Sequence, residues 1–158
     1  MIPELLELIR QAEDQYLQDE ELDRFSVHVS SLEEKLAVYE ILRDQELQIF
    51  QPVADKVQEM FPKQNPKQIE ISLKHWLLIT RYCAMAMLLN NTEFLQHRLL
   101  EWMTDIVQAH GLQTIENTIY QVLLTELGKV LTPAQLNYLE PFFELAKTTL
   151  LEGEIVNS

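Results

Sequence analysis

The sequence offers four histidines, one cysteine, five methionines and a Lys74-His75-Trp76 triplet inside an otherwise apolar stretch as its stock of groups able to bind or react. Cys83 lies between Tyr82 and Ala84 in the most apolar part of the chain. A nucleophilic thiol needs a base or a positive charge to lower its pKa, so this setting predicts an inert core thiol. A lone cysteine forms no internal disulfide, and there is no Cys-x-x-Cys pair for metal or redox work. Glu93 and His97 stand four apart, a spacing that can hold one corner of a metal site but usually makes only a solvated pair. None of His28, His75, His97 and His110 has a glutamate three residues before it, which excludes the paired Glu-x-x-His of di-iron bundles. Gly-rich phosphate loops, Gly-x-Ser-x-Gly, His-Glu-x-x-His and EF-hand loops are missing, and three glycines are too few for most backbone anion nests. Met60, Met85, Met87 and Met103 fall at core spacing, where methionine fills gaps. What remains is the triplet: Lys74 and His75 either line a polar pocket with Trp76 or face solvent near the start of their helix.

The elements that carry these groups are helical. Leu5, Leu8, Ile9, Ala12 and Tyr16 predict an amphipathic helix over 4–17. A short turn around Glu20 to Phe25 follows. Ser31 with Glu34 then reads as a capping box that starts a long helix to about Phe50, with Leu32, Leu36, Tyr39 and Leu42 inward. Pro52 suits the first turn of another helix bearing Val53, Val57, Met60 and Phe61, and Phe61-Pro62 stops it. The Lys63 to Lys67 segment is a loop. A central helix spans about 68–89. Thr92 caps the next helix, which carries Phe94, Leu95, Leu99, Trp102, Met103 and Ile106 to the Gly111 stop. One helix runs from Thr114 to about Leu131. Thr132-Pro133-Ala134-Gln135 opens a last one that ends near Leu151, before Gly153. Unequal helices without a repeat period predict an all-α, globin-like orthogonal packing in a single domain over 1–158, with an N-terminal helical pair over 1–30 and a core over 31–152.

Charge narrows the partners. The net charge is −13, and residues 1–62 hold 5 bases against 15 acids. Nucleic-acid binding needs basic residues to neutralise phosphates, so it is not expected. No apolar stretch reaches the roughly 18 residues of a membrane span, and the start lacks the basic and apolar regions of a signal peptide. The expectation is a cytoplasmic protein that spans no membrane.

The segment from Ser72 to Met103, SLKHWLLITRYCAMAMLLNNTEFLQHRLLEWM, together with Ala12-Glu13-Asp14-Gln15-Tyr16-Leu17 and Phe61-Pro62, resembles the phycobiliproteins, the globin-like subunits of the phycobilisome antenna. Arg81, Tyr82, Ala86 and Arg98 fit the family pattern directly, without a gap from Ser72 to Met103. The resemblance implies that Ser72 stands where the family has the cysteine that forms a thioether to a linear tetrapyrrole. It places Lys74 where a basic residue pairs with a propionate, and His75 where an aspartate bonds the pyrrole nitrogens. A serine hydroxyl does not make that linkage. Cys83 cannot replace it, being about 16 Å further along the helix axis. Imidazole also donates where a carboxylate accepts. The loop over 63–67 is shorter than the family's, in a region that there covers the pigment.

The resemblance therefore implies the scaffold without covalent pigment. It further implies that an acid of the first helix, Glu13 or Asp14, pairs with Arg81 across a subunit contact flanked by Tyr82. The expected protein is no enzyme. It pairs with itself or with phycobilisome subunits as a homo- or hetero-dimer through the N-terminal helices, acts in antenna assembly, regulation or turnover, and sits at the cytoplasmic face of the thylakoid. The alternative is a protein or sensor that binds a bilin or haem non-covalently, with Ser72, Lys74, His75 and Trp76 at the degenerate site.

Overall fold

The computed structural model describes residues 3–157, with all side chains in that span except those of Glu4, His110 and 152–157; the ends of the expected 1–158 unit lie outside it. Among the described residues every regular element is helical: α1 (Pro3–Asp14), α2 (Asp19–Asp44), α3 (Glu46–Met60), α4 (Pro66–Leu89), α5 (Thr92–Leu95), a π-helical turn (Gln96–Leu100), α6 (Glu101–His110), α7 (Gln113–Val130) and α8 (Pro133–Asn157). The all-α expectation holds. α3 packs on α7, and α4 is the central element, crossing α2, α7 and α8.

Local chemistry sets most of the boundaries. Asn65 Oδ1 accepts from Lys67 N at 2.9 Å to open α4, with Pro66 in its first turn. Asn90 closes it in the left-handed conformation at φ 49°. Asn91, not the expected Thr92, caps α5 by accepting from Phe94 N. The Thr132–Gln135 capping box forms as expected, each side chain taking part in a bond with the other's backbone N–H.

The N-terminal half departs from expectation. α2 runs without a break through Ser31, so the expected division at residue 30 falls mid-helix. The segment has neither Gly nor Pro to stop it, and Asp19, Glu20 and Glu21 favour a start at its N-terminal dipole. Glu34 accepts from Tyr138 Oη of α8 instead of capping. The break comes at Gln45, and Pro52 lies inside α3. With α2 this long its first half overhangs the core: Val38 and Leu42 are buried, while Leu36 faces solvent. In α3, Met60 is exposed beside buried Val53 and Val57.

Further along, the π turn widens the helix by a residue and shifts its phase. Leu95, Leu99, Leu100, Met103 and Val107 are buried, and Trp102, expected inward, is half-exposed with Nε1 donating to Arg98 O at 2.9 Å. Gly153 does not stop α8. The core is one cluster joining α2, α3, α4, α6, α7 and α8, with Trp76 and Phe143 its largest fully buried side chains.

Candidate functional site

α4 buries Ile69, Ser72, Trp76, Ile79 and Cys83, a row at steps of three and four residues that marks one helix face. Ser72 belongs to that row. It is fully buried, and its Oγ has no hydrogen-bond partner. Trp76 is also fully buried, its ring 5.4 Å from that of Tyr120 on α7 and its Nε1 without a partner. Lys74 points the other way, exposed, with Nζ 3.1 Å from Glu70 one turn back. The four expected site residues therefore split between core and surface.

His75 lies at the edge of the buried face, its side chain 12% exposed, and meets a residue that the sequence did not single out. Its Nδ1 is 2.8 Å from Oε1 of Glu116, a fully buried carboxylate on α7. With the carboxylate ionised, His75 Nδ1–H donates. Burying an ionised carboxylate without a partner costs several kcal/mol, and this contact offsets part of that cost for Glu116. The signal for Glu116 was its phase: Glu116, Tyr120, Leu123 and Leu127 share one stripe of α7. A carboxylate holding an imidazole is half of a Ser-His-acid triad. The other half is missing, since Ser72 Oγ bonds to nothing and is shut off from solvent. The arrangement ties α4 to α7 and engages no nucleophile.

The fit to a covalently held tetrapyrrole fails on this donor set. Position 72 offers a buried hydroxyl and no sulfur. Cys83 is fully buried, and burial pushes its thiol far above the usual range, which leaves it an inert thiol. Lys74 borders an open cleft, shared with Leu47, Phe50, Leu73 and Leu77 and about 210 Å³ in volume, which Ser72, His75 and Trp76 do not line. Small-molecule sites usually take about 300–1,000 Å³.

The expected interface residues lie on two surfaces. Glu13 and Asp14 stand exposed at the end of α1. Arg81 is held within the chain by the first residue of α3: Nε reaches Glu46 Oε1 at 2.7 Å and Nη2 reaches Oε2 at 2.9 Å. That bidentate pair raises the Arg81 pKa further and clamps α4 to the α2–α3 junction. Tyr82 is half-buried and stacked on Phe94 of α5, ring centres 5.6 Å apart.

A feature no sequence pattern had isolated is a row along the first half of α2: Leu22, Phe25, Val29, Leu32 and Leu36, at alternating steps of three and four. Leu22, Phe25, Val29 and Leu36 are 50%, 38%, 41% and 45% exposed. The alternation is that of a coiled-coil seam, and here the seam keeps a large part of its apolar surface in solvent. Leu32 and Leu36, expected inward with Tyr39 and Leu42, belong to this row and not to the core row of Val38 and Leu42, because the helix begins at Asp19 and not at Ser31.

Compared with known families, residues 7–150 match the model of the phycobilisome protein family. No curated protein matches the chain.

Proposed function

The chain belongs to the phycobilisome protein family, and from that premise we propose that it is a non-pigmented member that pairs with itself or with phycobilisome subunits through its N-terminal helices, serving antenna assembly, regulation or turnover. The reading treats 1–158 as one globin-like unit and the protein as a binding partner, not an enzyme. The observation that carries it is the seam Leu22-Phe25-Val29-Leu36. Four large apolar side chains in a helical line, each more than a third exposed, make a contiguous patch of the kind that marks an interaction site. An incoming helix supplies the matching knobs and removes the patch from water.

The buried hydroxyl at Ser72 supports the absence of a thioether. Arg81, 58% exposed on its side chain, is accessible to a second subunit, where Glu13 or Asp14 of that subunit would replace or join Glu46. Tyr82 would flank that contact. A non-covalent bilin or haem reading has less support, because Ser72, His75 and Trp76 do not line the cleft that Lys74 borders, and Ser72 and Trp76 are fully buried. No described helix is long and apolar enough to cross a membrane. We place the protein in the cytoplasm, at the thylakoid face where the antenna sits.

Mass in solution, alone and with isolated phycobilisome subunits, tests the proposal. The parent chain is expected to form a dimer with itself or with a subunit, and a Phe25→Glu, Val29→Glu variant is expected to form neither. A parent chain that stays monomeric in both settings overturns it.

A further inference from the structure

The seam on α2 has two unlike edges. Along one of them Glu21, His28 and Lys35 recur every heptad, half-buried against the rest of the chain. Lys35 Nζ lies over the Tyr138 ring of α8, 5.8 Å from its centre, and His28 Nε2 is closed to solvent. The other edge faces water. Asp19, Ser26, Glu33 and Glu40 recur along it at the same interval, with Asp23 and Ser30 just outside them, and all six are exposed. This solvent edge carries acids and no base, and the edges of a coiled-coil seam are where charge chooses the partner.

The chain's own bases do not answer these acids. Residues 1–62 contain 5 bases. Arg10, Arg43 and Lys56 are paired with Glu7, Asp44 and Glu126. Arg24 lies on the far side of α2, lining the cavity that α1 covers, and Lys35 is on Tyr138. A second copy of the chain is therefore a poor occupant of the seam. In antiparallel order the two solvent edges meet, setting Asp19 of each copy near Glu33 of the other. In parallel order Glu33 and Glu40 would need His28 and Lys35 of the second copy, and both of these are turned into their own chain. Like charges at such spacings cost about as much as opposite charges gain.

We propose that the seam is filled by an amphipathic helix of a different protein, with one apolar row flanked by Lys or Arg, and not by a second copy of this chain. Its apolar row would cover Leu22, Phe25, Val29 and Leu36, and its bases would face Asp19, Glu33 and Glu40. The inference rests on the reading of the seam as an interaction surface and selects among the partners that reading allows.

Titration calorimetry of the full chain at low ionic strength tests it with two synthetic three-heptad peptides, identical along their apolar row and flanked by Lys in one and by Glu in the other. A scrambled Lys peptide controls for bulk attraction to a chain of charge −13. The Lys-flanked peptide is expected to bind saturably, about tenfold or more tighter than the other two. That advantage is expected to shrink at about 1 M salt, where the screening length falls to about 3 Å. In Glu33→Lys with Glu40→Lys, which leaves the chain acidic overall, the preference for Lys over Glu flanks is expected to fall about tenfold or more. No saturable binding of the Lys-flanked peptide, equal binding by the Glu-flanked or scrambled peptide, or an unchanged preference in the folded variant overturns the proposal. So does a dimer of the chain with itself that Phe25→Glu with Val29→Glu dissociates, a result that leaves the pairing reading standing. Binding of phycobilisome subunits that this last variant does not weaken overturns the pairing reading instead.

Discussion

His75 Nδ1 and Glu116 Oε1 meet at 2.8 Å across the α4–α7 contact, and the carboxylate they share is fully buried while its second oxygen, Oε2, bonds to nothing. The pair makes Glu116 dependent on His75. Removing the imidazole strands a charge in the core, so His75→Ala is expected to lower the unfolding free energy by about 3–5 kcal/mol. Replacing both, as His75→Leu with Glu116→Leu, is expected to recover most of that loss. Urea unfolding of the two single variants and the double variant measures the coupling, and additive losses would show that the two side chains do not depend on each other.

The environment of position 72 predicts that sulfur alone will not restore the family's chemistry. In Ser72→Cys the new thiol sits in the closed core beside Trp76, where burial raises its pKa as it does for Cys83. Expressed with a tetrapyrrole supply, neither the parent nor this variant is expected to keep colour after acid denaturation. Thiol reagents are expected to modify the variant only once it unfolds. Retained colour in the parent would refute the loss of the anchor.

Arg81 separates a structural role from an interface role. Its bond to Glu46 is largely exposed, and such pairs contribute about 0–1 kcal/mol, so Arg81→Glu is expected to change stability little. If Glu13 or Asp14 of a second subunit engages Arg81, the same variant dissociates the assembly. Sedimentation of parent and variant at equal concentration checks this, and unchanged association removes Arg81 from the interface.

Two buried ionisable groups set opposite pH limits. Burial, with Glu144 adding to it, pushes the Tyr120 hydroxyl up to about 12. The ordinary value in an unfolded chain is about 10. The unfolded chain therefore loses this proton first, and stability that is intact below about pH 10 falls as pH rises toward 12. On the acid side, Lys56 at 2.5 Å and Lys129 at 3.0 Å hold the buried Glu126 carboxyl below its usual range. Its contribution is present above the ordinary carboxylate pKa and lost as pH falls through the lowered one. Thermal unfolding across pH is expected to show a shallower alkaline fall in Tyr120→Phe and a shallower acid fall in Glu126→Gln. Unaltered pH slopes would mean that neither group couples to folding.

The sequence alone determined what neighbours along one helix decide. Stops at Phe61-Pro62 and Asn90, the Thr132–Gln135 cap, the all-α class and the apolar setting of Cys83 all follow from spacing and capping within about one or two turns. Ser72's burial was legible in the same way, through its phase with Ile69, Trp76 and Cys83. Only the tertiary structure decided partners. Glu116 is 41 residues from His75, and Glu46 is 35 from Arg81. Which carboxylate meets which cation depends on how whole helices cross, a choice that local periodicity does not encode. The same holds for α2: whether its first half covers core or leaves a seam and a cavity depends on where the other helices end, and that is a property of the packed assembly of helices.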